Sequence, residues 1–233
     1  MRRHGEAITL ARRLQDPPSL AHSIFLSCAS SQAPGGNAAA VFAAAEELWE
    51  LSEQLGFSQF QACAQMFLGW ALARSGEALQ GIAQMSEGLG ILQRIGASMF
   101  MPRAGCLMAD AHLMAHRYRE GLGHVAQALH FTETGDQSCL ARLYHLRAEL
   151  LLHLHGTGDA AVEASLRQAI AVARRQEAKG WELPATTSLA RLWVDCGRRR
   201  EARDLLAPIY GWFTEGFDTP DVQTARALLD ALR

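Results

Sequence analysis

The stretch Gly69–Met85, GWALARSGEALQGIAQM, decides the fold. It sets a glycine inside an apolar helical segment, breaks at Ser75-Gly76-Glu77, and 12 positions after the first glycine sets a second, Gly81, inside another apolar segment. Where two helices approach to about 8 Å, only a residue with little or no side chain fits, so this register predicts a tightly packed antiparallel pair. The signature recurs in both directions along the chain. Small residues inside apolar segments fall at Ala29, Gly69, Ala109, Ala148 and Ala190, in steps of 40, 40, 39 and 42. Helix-ending glycines fall at Gly56, Gly96 and Gly135 and resume at Gly216. The 12-residue spacing returns from Ala109 to Gly121 and from Ala190 to Ala202, whereas Ala148 to Ala164 is 16. That longer step predicts a connecting loop, His153 to Asp159, longer by about one helical turn.

Alanine, leucine, glutamine and arginine dominate, Val, Ile and Thr are sparse, and no segment alternates apolar and polar residues with period two, so the chain reads as all-α. Further breaks stand at Ala33-Pro34-Gly35-Gly36-Asn37, Arg117-Tyr118-Arg119, Gly156-Thr157-Gly158-Asp159 and Gly197-Arg198-Arg199. A lone helix is expected over 5–15, stopped by Asp16-Pro17-Pro18. Five pairs follow, over 20–31 with 37–55, 58–74 with 77–95, 100–116 with 119–134, 138–154 with 159–178, and 181–196 with 199–213. A final helix runs from Pro220 to Leu232, capped by Thr219. The domain organisation is then a lone helix in 1–18, five helix-pair repeats in 19–217 (19–56, 57–96, 97–135, 136–179 and 180–217), and a capping helix in 218–233. Stacked pairs of this kind form an α-solenoid, because one amphipathic pair cannot bury its own apolar faces. Residues 5–15 read as the second helix of a preceding repeat, with Ile8, Leu10, Ala11 and Leu14 needing cover. The open end predicts either a longer polypeptide or a homodimer through the N-terminal repeat end.

Composition excludes several classes. With 233 residues, 49% apolar and 20% charged, the chain can bury a core and is not a disordered segment. A net charge of -2 supplies no global basic field, so a nucleic-acid partner is not expected. No apolar run approaches the roughly 18 residues of a membrane span, and Met1-Arg2-Arg3-His4 leads into a charged amphipathic stretch rather than a signal core. A cytoplasmic protein without a membrane partner is expected. Cys28, Cys63, Cys106, Cys139 and Cys196 are odd in number and never paired as Cys-x-x-Cys, which fits reduced thiols rather than disulfides or zinc.

The register of small residues resembles tetratricopeptide repeats in a variant of about forty residues. The resemblance is carried by Gly69-Trp70-Ala71-Leu72-Ala73 with Gly81-Ile82-Ala83-Gln84-Met85, by Tyr144–Leu152, by Arg167-Gln168-Ala169-Ile170, by Ser188–Trp193, and above all by LAPIYGWFTEGFDTPDVQ, Leu206–Gln223. Together these stretches resemble the C-terminal repeat region of bacterial proteins that join a class III adenylate/guanylate cyclase domain, an AAA-type ATPase domain and tetratricopeptide repeats. The resemblance implies a right-handed solenoid and a regulatory or partner-binding role. It also marks two departures: Glu177 stands where relatives carry a helix-ending glycine, and Pro184 stands in the first turn of a helix where relatives carry a charge. No Gly-x-x-x-x-Gly-Lys-Ser/Thr loop exists, Lys179 is the only lysine, and no pair of metal-binding aspartates is present, so neither family activity transfers to any position here.

Candidate chemistry is sparse. His112 and His116, at i and i+4, could face one metal, but Leu113-Met114-Ala115 supplies no general base and no third ligand stands at a telling spacing. His153 and His155 in the longer loop are only two ligands. Arg198-Arg199-Arg200 with Arg203 could contact an acidic partner, but opens a helix beside Glu201 and Asp204, where charges are solvated. Trp70, Trp181, Trp193 and Trp212, with Phe213 and Phe217, read as core anchors, Trp212-Phe213 sealing the last repeat; the methionines from Met66 to Met114 read as gap-fillers. No nucleophile elbow, zinc-protease motif or dinucleotide loop occurs. The expectation is a non-catalytic module without cofactor or metal, binding a protein segment or neighbouring domain on a concave face lined by first helices. Arg103, Arg142, His145 and Arg191 are polar positions on those helices. The alternative is a region that senses a small effector and regulates a cyclase, ATPase or transcription activator; an enclosed polar cavity would favour it, and an open groove would favour the protein segment.

Overall fold

In a computed structural model, which describes residues 2–31, 36–133 and 136–233 (Arg2 and Arg3 by backbone alone), the described residues are all-helical, with no strand. The helices are α1 (Arg2–Leu14), α2 (Pro17–Ser30), α3 (Ala38–Leu55), α4 (Ser58–Arg74), α5 (Ala78–Arg94), α6 (Met101–Met114), α7 (Tyr118–Thr132), α8 (Leu140–His155), α9 (Ala160–Arg175), α10 (Lys179–Asp195), α11 (Arg199–Trp212) and α12 (Pro220–Ala231). Residues 33–35 of the first break and Gly135 lie outside the described residues. The chain forms two compact units, α1 to α7 and α8 to α12, dividing between Asp136 and Gln137. In each, helices pack consecutively on their neighbours in sequence.

Local chemistry sets the helix ends. Asp16 caps α2, accepting from the Ser19 amide at 3.4 Å and its hydroxyl at 2.7 Å, and Pro17-Pro18 occupy the first turn. The prolines therefore open α2, three residues earlier than expected, because first-turn positions need no amide hydrogen. Asn37 caps α3 through the Ala40 amide at 3.1 Å, and Gly56 ends it in the left-handed region at φ 67°. Glu177 occupies the same kind of position at φ 54°. The glycine absent there is thus one the backbone would favour. Pro184 lies not in the first but in the second turn of α10, which begins at Lys179 and so loses one internal hydrogen bond.

In the first unit α4 and α5 are in backbone contact. A Cβ on Gly81 would stand 2.2 Å from the Gly69 carbonyl oxygen, and one on Gly69 would stand 2.6 Å from that of Gly81. About two turns further on, a Cβ on Gly88 would meet the Ala62 carbonyl at 2.8 Å, so the contact runs antiparallel along the pair. Phe25, Phe60, Phe67 and Phe100 cluster with centroids 5.4–6.4 Å apart, joining α2, α4 and the 3-10 turn Ser98–Phe100 before α6. At the start of the unit Ala11 is buried, whereas Leu10 and Leu14 are exposed.

In the second unit the longer register step resolves differently from the expected loop. α8 runs on to His155 and only Gly156–Asp159 connect it to α9, so the extra residues sit in the helices. Ala164 is exposed, and the small residue turned inward is its neighbour Ser165. Glu182 is nearly fully buried at the start of α10 and pairs at 2.7 Å with both Arg174 and Lys179. Burial raises its carboxyl, but those two cations outweigh it and hold the group below the ordinary range. Trp193 is buried beneath the Arg198 guanidinium, 4.2 Å from the ring centroid, but Trp212 is 58% exposed and packs edge-on against Phe213 instead of sealing the core.

Candidate interaction surfaces

The four polar positions expected on first helices have different fates. Arg103, half-buried on α6, donates to the Ala29 carbonyl in the last turn of α2 at 3.2 Å, where a cation complements the negative helix end. Arg142 and His145 are brought together on α8: Arg142 bonds Glu149 at 3.0 Å and His145 Nδ1 at 3.2 Å, and His145 Nε2 bonds Ser188 Oγ on α10 at 2.9 Å. Burial raises the Glu149 carboxyl, but His145 and Arg142 outweigh it and hold the group below the usual carboxylate range. Arg191 is exposed on α10.

The Ser188–His145 contact has the length of a nucleophile–base pair, but a triad needs a carboxylate on the far imidazole nitrogen. Here the far nitrogen, Nδ1, faces a guanidinium, and Glu149 lies 3.9 Å from Nε2, the nitrogen that faces serine. With His145 also buried, the contact clamps α8 to α10. Trp70 does the equivalent work in the first unit, donating from Nε1 to Asp110 Oδ2 at 2.7 Å between α4 and α6. Both links join first helices of successive pairs.

His112 and His116 do not converge. His112 is buried and stacked on His124 of α7, with centroids 5.1 Å apart, whereas His116 lies past the helix end at φ 57° and bonds Tyr118 at 2.7 Å. Burial first, then His124, lowers His112 to about 4. His155 braces the N-cap of α9 through Asp159 at 2.6 Å. Among the described residues no group of three or more His, Cys, Asp or Glu is placed to hold a metal, and no helix is long and apolar enough to cross a membrane. Within the basic run, Arg198 pairs with Glu201 and Glu163, and Arg199 donates to the Ala231 carbonyl at 2.5 Å. Arg203 borders a groove of about 500 Å³ with Tyr210, Arg226 and Arg233.

A second groove, of about 680 Å³, lies in the first unit, with α3 and α5 as walls and α4 as floor. Phe42, Glu46, Trp49 and Glu50 present one face of α3, since i, i+4, i+7 and i+8 fall on one side of a helix. Gln80, Gln84 and Glu87 line the α5 wall; Leu68, Leu72 and Gln65 form the floor. Gln65 is buried and donates from Nε2 to Glu87 at 2.7 Å. The groove was outside the sequence expectation, which looked to polar residues on first helices and left Trp49 out of its aromatic set. A local signal existed in Trp49, with Glu46 and Phe42 at helical spacing before it and Glu50 four residues after Glu46.

No family model matches the chain. Over 134 residues it is 31% identical to an uncharacterized protein of Rhizobium meliloti (strain 1021), a match that covers 57% of this chain and 13% of that protein. The matched chain thus spans a small part of its much longer relative.

Proposed function

We propose that the chain is a non-catalytic helical-repeat module of tetratricopeptide type that binds protein segments and serves a regulatory role, as the resemblance to the tail of cyclase–ATPase signalling proteins implies. The observation that carries this reading is the groove over α4, walled by two second helices and floored by a first helix. It is open to solvent rather than enclosed, as a docking surface for polypeptide is, whereas an effector site encloses its ligand. Fastening of first helices one period apart, through Trp70–Asp110 and His145–Ser188, supports the repeat plan beneath it. Similarity to a short stretch of a far longer protein is what a module carried beside other domains gives. On this reading the docking side differs from the expected first-helix face, because the inward polar residues Arg103, Arg142 and His145 are consumed by internal contacts.

Selection of phage-displayed random peptides on the immobilised 233-residue chain tests the reading. Enriched sequences are expected, and as synthetic peptides they should bind saturably with Kd in the micromolar range. Absence of any enriched sequence contradicts a segment-binding module.

A further inference from the structure

We propose that the groove over α4 binds a basic segment of a partner polypeptide, one cationic side chain of which lies on Trp49 and donates to Gln65 Oε1. This rests on the reading of the chain as a segment-binding module and names the chemistry of the segment.

Charge points first to a cation. Glu46, Glu50 and Glu87 border the groove and no Lys, Arg or His lines it. An acidic cluster alone is no site, but Gln65 supplies an independent observation. Its residue is 8% exposed, and Oε1 is shielded and has no hydrogen-bond partner, so a donor in the groove meets it once the side chain rotates toward the groove. Turning the amide over would not satisfy the side chain, because Oε1 would then oppose the Glu87 carboxylate and Nε2 would be stranded. A buried acceptor is costly to leave unmade and is satisfied by a donor, and between carboxylates the favoured donor carries positive charge. The lining therefore offers an amide acceptor and carboxylates together, a set that suits ammonium or guanidinium and repels acidic groups.

Shape and apolar surface point to a polypeptide. Trp49 and Phe42 are half-buried on the α3 wall, where an aromatic face attracts a cation, and Leu68 and Leu72 on the floor suit the aliphatic stem of lysine or arginine. From Phe42 to Glu50 the α3 wall is about 12 Å long, the span of three to four extended residues.

The test titrates a fluorescein-labelled octapeptide of alternating arginine and serine by fluorescence anisotropy, against its glutamate–serine counterpart and with free arginine as competitor. The basic peptide is expected to bind saturably and the acidic one not at all. Glu46→Gln with Glu50→Gln should weaken binding tenfold or more, and Gln65→Leu three- to tenfold, with thermal melts at or above wild type. Glu177→Gln with Glu215→Gln, which removes the same charge from exposed positions in the second unit, should change affinity less than twofold. No binding of the basic peptide overturns the proposal, as does affinity indifferent to the groove variants or lost equally with the distant pair. Competition by free arginine at the peptide's own concentration overturns the assignment to a polypeptide. Peptides selected by display that ignore all groove variants would leave the module reading standing and remove this one.

Discussion

His112 shows how a single residue's environment turns into a property of the molecule. In the unfolded chain its imidazole titrates near 6.5, whereas in the fold burial and the stacked His124 lower it to about 4. Between those values the unfolded chain binds a proton that the folded chain refuses, so its contribution is fully present above pH 6.5 and is lost as pH falls toward 4. Discounted for partial solvent access, the loss is on the order of 1–2 kcal/mol. His112→Phe, which keeps the ring stack, is expected to flatten stability against pH between 6.5 and 4, read as urea midpoints across that range; an unchanged slope would place the titration elsewhere. The residue's type and helical position were legible in the sequence. The stacking partner was not, because it comes from the facing helix and no local spacing encodes it.

At the scale of elements, the crossing of α4 and α5 depends on two glycines whose missing side chains are replaced by each other's backbone. Backbone cannot move aside as a flexible side chain can, so Gly81→Ala should destabilise by about 3 kcal/mol. Gly123→Ala, on an open face of α7, should instead gain about 0.5–1 kcal/mol through helix preference. Denaturant unfolding of both variants separates a packing role from a general dislike of alanine; equal effects would refute the packing account. Helix limits were legible because they are written locally, as with Ser58–Arg74 between Gly56 and Gly76. The α8–α9 step was misread because extra residues can lengthen either loop or helix, and Leu150–His155 has no breaker before Gly156 to end the helix sooner. Pro17-Pro18 was ambiguous for a related reason: the same pair that cannot continue α1 is well suited to begin α2.

For the whole molecule, the all-helical class of the described residues and the consecutive packing of helices within each unit followed from composition and register, since three of the five pairs repeat the same 12-residue spacing. The groove did not, because its chemistry is divided among three helices and depends on α4 lying between α3 and α5. Of the polar residues expected on first helices, Arg103, Arg142 and His145 are spent on internal contacts, and Arg191 alone of the four stays exposed. What lines the groove of the first unit is acidic and aromatic, and this drives the account of function. Methyl NMR of the leucine-labelled chain tests it most directly. On titration with the arginine–serine peptide, Leu68 and Leu72 on the groove floor should shift while Leu143 and Leu189, in the core of the second unit, stay in place. Unmoved floor methyls at saturating peptide, or shifts centred on the second unit, would contradict it.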